Sequence, residues 1–285
     1  MARPKHALPT ILLAAWPAFV HAAEPPPDKS GYTFFNPTPL NAMRDFNADR
    51  PTKGNGPITV DAGHVQYETD LFSYGHSNVG GVSTRMYTFA DPMLKLGLTN
   101  SVELQVQFTG YNIINIRDPK TGARIQDIRG AGDLLLRSKV NLFGNEGGPA
   151  LALIPYVKFP TAARNVGNGH TEGGVIAPFT APLPWDFTLL IMPEVDVLRN
   201  ANDAGHHFSF TQLISIGHAV GPKVTVYGEL YSALGTDKNT PPVYTADFAI
   251  SYMLTGTVQL DVGANVGLNK NAPNLQLYTG IAQRF

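Results

Sequence analysis

From near residue 64 almost to residue 285, apolar and polar residues alternate with a period of two. Such a period belongs to strands with one oily and one polar face. Its clearest runs set Val102, Leu104, Val106 and Phe108 against Glu103, Gln105, Gln107 and Thr109, and Val258, Leu260, Val262, Ala264, Val266 and Leu268 against Gln259, Asp261, Gly263 and Asn265. About twelve segments of this kind are predicted, at 64–74, 86–98, 101–113, 133–142, 149–160, 173–182, 186–199, 207–220, 224–235, 243–254, 257–268 and 275–285. Their lengths suit the roughly 9–11 residues that a tilted strand needs to cross a bilayer. Short links at 99–100, 143–148, 183–185, 221–223 and 255–256 alternate with longer polar links around 75–85, 114–132, 161–172, 200–206, 236–242 and 269–274. Short turns at one end, long loops at the other and an even strand count predict an all-β fold, a membrane-spanning antiparallel up-and-down barrel with both termini periplasmic. A soluble sandwich gives no such asymmetry of loops.

Composition agrees with that reading at one point. Only 15% of residues are charged, against about 25% in soluble domains, and a lipid-facing band accounts for the deficit. The formal net charge of -1 argues against a nucleic-acid binder. With no cysteine there is no disulfide, thiolate nucleophile or thiolate metal site. No cofactor and no metal are expected: Gly130-Ala131-Gly132-Asp133 lacks a nucleotide-binding pattern, and Asp203, His206 and His207 read as a polar loop.

The chain divides into three. Arg3, Lys5 and His6 precede an apolar stretch over 7–20 and the small-residue site Val20-His21-Ala22-Ala23, which reads as a secretory signal peptide over residues 1–23. The stretch is too short to anchor and is broken by Pro9 and Pro17. Residues 24–56 are rich in Pro and Gly and have no sustained period, yet Tyr32, Phe34 and Phe35 could dock against something larger. This segment is expected either to plug the lumen from the periplasmic side, with Asp49-Arg50-Pro51 paired to lumen charges, or to hang as a periplasmic tail. Residues 57–285 are the barrel. The last strand carries Leu275, Leu277, Thr279, Ile281 and a terminal Phe285, a pattern that resembles the signal read by the bacterial barrel-assembly machinery. Phe143, Trp185, Phe187, Tyr252 and Phe285 fall near the short turns, as a girdle at the interface with outer-membrane lipid would.

A broader resemblance rests on several motifs in order. These are Pro37-Thr38-Pro39-Leu40 through Met43-Arg44, Ala48-Asp49-Arg50-Pro51, Thr59-Val60-Asp61-Ala62-Gly63-His64-Val65-Gln66, and Leu94-Lys95-Leu96-Gly97-Leu98-Thr99. Gly130-Ala131-Gly132-Asp133, Leu136-Arg137-Ser138-Lys139-Val140-Asn141-Leu142, Pro160-Thr161-Ala162 and Gln259-Leu260-Asp261-Val262-Gly263 continue the series. With them the chain, from about residue 36 to its end, resembles the outer-membrane transporters of the meta-pathway of phenol degradation. That resemblance implies an outer-membrane barrel and a link to uptake of aromatic compounds.

A twelve-stranded barrel falls between eight strands, whose interior side chains fill, and the 16–18 of water-filled porins, so a narrow lumen is expected. Strand parity turns Glu68, Asp70, Lys95, Glu103, Arg137, Lys139, Lys158, Glu194, Asp196, Arg199, Glu229, Asp247, Asp261 and Arg284 inward. These charges either brace the wall in pairs or form a selectivity ladder along a pore. Tyr111, Tyr156, Tyr227, Tyr231 and Tyr278 share the inward parity and are candidates for stacking an aromatic solute. The expected function is a passive outer-membrane channel for small solutes, aromatic or hydrophobic. Two rivals stand beside it: a structural barrel with a closed lumen, and a lipid hydrolase in which His207 serves Ser209 from the same strand face. No oligomeric state is readable.

Overall fold

The computed structural model describes residues 28–285; the expected signal peptide and its cleavage site lie outside them. Sixteen β-segments follow one another: β1 (Val65–Val79), β2 (Val82–Phe89), β3 (Met93–Gly97), β4 (Val102–Phe108), β5 (Tyr111–Arg117), β6 (Arg124–Ala131), β7 (Leu134–Phe143) and β8 (Ala150–Phe159) form the first half. The second half comprises β9 (Glu172–Ile176), β10 (Phe179–Leu183), β11 (Phe187–Arg199), β12 (His206–Gly221), β13 (Val224–Gly235), β14 (Val243–Thr255), β15 (Val258–Gly267) and β16 (Leu275–Arg284). All lie in one antiparallel sheet, and β16 returns to β1 with a register running from Gln66↔Arg284 to His76↔Leu275. The sheet is therefore a closed barrel. The pairs β2–β3, β4–β5, β6–β7 and β9–β10 each continue one strand across a short interruption, which leaves twelve staves around the wall. Among the described residues the single helical element is a 3₁₀ turn at Leu40–Ala42.

The interruptions have local causes. Pro92 and Pro178 have no N–H to give a ladder. Where residues 109–110 break the third stave, the backbone of its neighbour comes so close that a Cβ on Gly110 would sit 1.5 Å from the carbonyl oxygen of Ala90. Only glycine fits there. The break also corrects one expectation. It slips the parity by one residue, so that Asn112 is buried and accepts from the Thr88 hydroxyl at 2.8 Å, whereas Tyr111 is half exposed on the outer face with Phe89 and Phe72. Tyr111 is not a lumen residue.

Two expected loops are also strands. Around 75–85, β1 and β2 run on to a two-residue turn at Gly80–Gly81, both with positive φ (64° and 77°), as a primed hairpin turn requires. Around 114–132, β5 and β6 continue the wall to residues 118–123. Both faces of that hairpin carry polar groups, including an Asn115–Asp127 hydrogen bond, so no alternation marks it. Long connections do cap the same end at 160–171, 200–205, 236–242 and 268–274.

The barrel is packed inside out. Charged and amide side chains fill the interior, with Lys95, Glu103, Gln105, Lys139 and Asp247 all but inaccessible, while Phe208, Leu230, Phe248, Val262 and Leu268 are each more than half exposed around the wall. A continuous apolar exterior over charged staves calls for lipid as its solvent. Phe143, Trp185, Tyr252 and Phe285 project near the short turns; Phe187 stacks on His218 with ring centroids 4.1 Å apart. Leu230 lies near the middle of β13. Leu230→Arg is expected to cost about 2–4 kcal/mol of folding free energy in a bilayer, measurable by urea titration of folding into lipid vesicles.

Candidate functional site: the occupied lumen

Residues 28–63 cap the short-turn mouth and enter the barrel from it, with Phe35 and Leu40 exposed outside and the stretch from Asp49 onward largely enclosed. The segment starts at the short-turn end, where the Phe34 N–H donates to the Leu98 carbonyl at 2.8 Å and Thr33 bridges Thr99. Phe285 closes on the same rim, its N–H 2.9 Å from the Val65 carbonyl. A cluster ties this mouth: Arg44 meets Asp61 at 3.2 Å and Glu146 at 3.0 Å, Lys29 meets Glu146 at 2.7 Å, and Arg284 donates to the Arg44 carbonyl at 2.8 Å. The segment then rises into the lumen as a hairpin.

The rising arm is held by charge. The Asp49 carboxylate sits between Lys95 at 2.5 Å and Lys139 at 3.0 Å, and those lysines in turn face Glu68 at 2.5 Å and Glu103 at 3.4 Å. The Arg50 guanidinium bridges Asp70 and Asp261, reaching the latter through Nη2 at 2.6 Å and Nε at 3.1 Å. A Cβ on Gly280 would fall 2.2 Å from Arg50 Nη2. Glycine at that position therefore gives the guanidinium its berth against the wall. At the tip, Lys53 Nζ meets Asp247 at 3.0 Å and lies 4.6 Å from the centroid of the Tyr231 ring. Its backbone N–H donates to Glu229 at 3.1 Å. Tyr278 donates its hydroxyl to the Pro51 carbonyl at 2.7 Å.

The return arm meets the opposite wall. Gly54 packs against Leu190 and Leu213, two of the few apolar side chains of the interior, beside Ile154, Ile176 and Met192. Asn141 donates to the Pro57 carbonyl at 3.0 Å and the Val60 N–H to Glu103 at 2.6 Å. The inserted segment thus extends past residue 56, where the sequence places the start of the barrel; the wall itself opens at Val65.

Beside a cavity of about 360 Å³ between the Lys53 tip and Tyr231, two cavities lie on either side of the 49–52 stretch of this hairpin. One of about 320 Å³ opens toward the long loops, and one of about 280 Å³ toward the short turns. Asp49, Arg50 and Thr52 line both, so the hairpin is the partition between them.

Of the residues picked out from the sequence, Glu103, Lys139, Glu229, Asp247 and Asp261 all bond to the hairpin. Asp196 is apart from it and accepts from the Tyr156 hydroxyl at 2.6 Å. Lys158 lies toward the long loops between Glu172 at 2.8 Å and Asp133 at 3.4 Å. Arg137 and Glu194 line the cavity on the long-loop side and Tyr227 the one on the short-turn side. In the 200–205 loop, hydrogen bonds from Arg199 and then His170 hold the Asp203 carboxyl below its usual range. His207 and Ser209 are both buried, but His207 Nδ1 faces Asn200 Oδ1 at 3.1 Å. No bond joins His207 to Ser209 among the described residues, as a nucleophile and its base require.

Three participants escape a sequence reading. Asp91, which lines the cavity on the long-loop side, lies within an expected strand, and only the following Pro92 hints that the strand breaks there. Lys53 and Asp61 belong to stretches with no period and carry no pairing signal of their own.

By sequence, the profile of the family described as "Putative MetA-pathway of phenol degradation" matches residues 48–285. None of the curated proteins matches the chain. By fold, the chain is similar to the COG4313 outer membrane channel from Pseudomonas putida F1, with 15% identity and a TM-score of 0.60 over 82% of this chain and 100% of the other. It is also similar to the NanC porin, with 8% identity and a TM-score of 0.50 over 77% of this chain and 98% of that one.

Proposed function

The chain belongs to the family of the MetA pathway of phenol degradation, and on that premise we propose that it is a passive outer-membrane channel for small solutes, aromatic or hydrophobic, with the 49–56 hairpin as its constriction. The observation that carries this reading is the hairpin itself, a partition of chain held by ion pairs between two lumenal cavities. A wall braced for strength alone would pair its charges directly across the lumen. Here Lys95 and Lys139 keep Glu68 and Glu103 as wall partners, but Asp70, Asp261 and Asp247 are paired through a separate segment, which a solute or a field can displace without opening the wall. The short-turn end, with both described chain ends, is the periplasmic one by the usual asymmetry of such barrels. Phe285 on that rim serves as the assembly signal.

Single-channel conductance of the refolded protein in planar bilayers, with and without phenol, tests the reading. Discrete steps that phenol reduces are expected. A protein confirmed as folded that gives no steps would instead support the closed-lumen barrel. The aromatic part has its own test in Tyr231, Tyr156 and Tyr278, which line or border the lumen. Stacking on an aromatic face is worth about 0.5–1.5 kcal/mol, so Tyr231→Ala is expected to weaken phenol block roughly three- to tenfold. Unchanged block in all three alanine variants would remove aromatic solutes from the proposal.

A further inference from the structure

Most charged side chains around the cavity on the long-loop side have a partner of opposite sign within ion-pair distance. Asp49 is balanced by Lys95 and Lys139, Arg50 by Asp70 and Asp261, and Lys53 by Asp247. Arg137 has no carboxylate within ion-pair distance among the described residues. It enters the cavity from β7, in register with Gln105 on one neighbouring strand and Tyr156 on the other. Its Nε is buried with no acceptor, and among the described residues the guanidinium makes neither a hydrogen bond nor an ion pair. One contact orients it: its Cζ lies 5.9 Å from the centroid of the Tyr156 ring. A guanidinium drawn out of bulk water without an acceptor is costly, and its planar fork matches a carboxylate.

Two carboxyls of the same cavity lack a cation as well. Asp91 accepts only from Gln107, at 3.3 and 3.4 Å, and Glu194 has no basic partner within ion-pair distance among the described residues. Met93, Ile176 and Met192 supply an apolar wall. Resting on the lumen as a solute path, we propose that this cavity is a binding site for a small organic acid, with Arg137 as its carboxylate-recognising residue. The acid carries a hydroxyl or ammonium donor for Asp91 or Glu194 and an apolar body for the methionines and Ile176. A hydroxylated aromatic acid meets all three conditions.

The test is isothermal titration calorimetry of the full mature protein in micelles with 4-hydroxybenzoate and with 4-hydroxybenzyl alcohol, run beside bilayer recordings. Saturable binding of the acid is expected, roughly tenfold or more tighter than that of the alcohol. Arg137→Gln is expected to abolish the preference and Arg137→Lys to restore part of it. The acid–alcohol comparison on the unaltered protein decides the matter even where a variant does not fold. Equal affinities for the two probes, no saturable binding of the acid, or a preference that survives Arg137→Gln would each overturn the site. Preferential binding without ion current would uphold the site and count against the channel. Current without binding would keep the channel and remove the site.

Discussion

Removal of residues 28–56 is expected to raise single-channel conductance by roughly three- to fivefold, since a twelve-stranded barrel freed of most of its inserted chain approaches a water-filled lumen. The hairpin stands between two cavities of the interior, with Asp49, Arg50 and Thr52 lining both. Deletion strips Asp70, Asp261 and Asp247 of their partners and leaves Lys95 and Lys139 only Glu68 and Glu103, but it also admits water to them, and a hydrated charge needs no partner. A second variant reaches the same question with the segment retained. Gly54 lies against Leu190, and the chain has no cysteine of its own. Gly54→Cys with Leu190→Cys therefore places one disulfide between hairpin and wall. Oxidation is expected to hold conductance at its lowest value and reduction to return it. A deletion that leaves conductance unchanged would mean that ions already bypass the hairpin.

The wall was legible in the sequence because a lipid-facing stave leaves an unambiguous mark. Val102 to Phe108 and Val258 to Val266 alternate strictly, and each is a strand in register with its neighbours. The mark fades wherever a strand does not separate lipid from lumen. The hairpins around Gly80–Gly81 and residues 118–123 have polar groups on both faces, so they read as loops although they are ladders. Parity fails for a different reason at Tyr111. A two-residue break needs only a close backbone approach at Gly110, and nothing in a one-dimensional pattern reports which strand lies alongside. The same holds for the interior. Asp49-Arg50-Pro51 stood out as charges without a period, but the partners lie up to 211 residues away in sequence, and the pairing is a fact of closure rather than of local pattern. What remained invisible was the exception: Arg137 differs from Lys139, two residues on, in having no carboxylate within ion-pair distance.

That contrast makes Lys139 the place where the interior network should be most fragile. Its side chain is inaccessible and faces Asp49 at 3.0 Å and Glu103 at 3.4 Å, and it also donates to the Ile58 carbonyl at 3.2 Å. Lys139→Met leaves Asp49, Glu68 and Glu103 clustered around Lys95 alone, with Glu103 held only by neutral donors, Gln105 and the Val60 N–H, each at 2.6 Å. Removing one partner of a buried pair typically costs about 3–5 kcal/mol, because the remaining charge has no water to return to. The loss is expected to appear as a lower midpoint in urea unfolding from micelles. Adding Glu103→Gln removes the orphaned charge and keeps the acceptor toward Val60, so the double variant should recover a large part of the loss. The coupling from such a cycle falls in the range of about 0.5–3 kcal/mol for residues in one network. Additive effects of the two substitutions would mean that Lys139 and Glu103 act separately, with the hairpin carrying the charge of Lys139 through Asp49 alone.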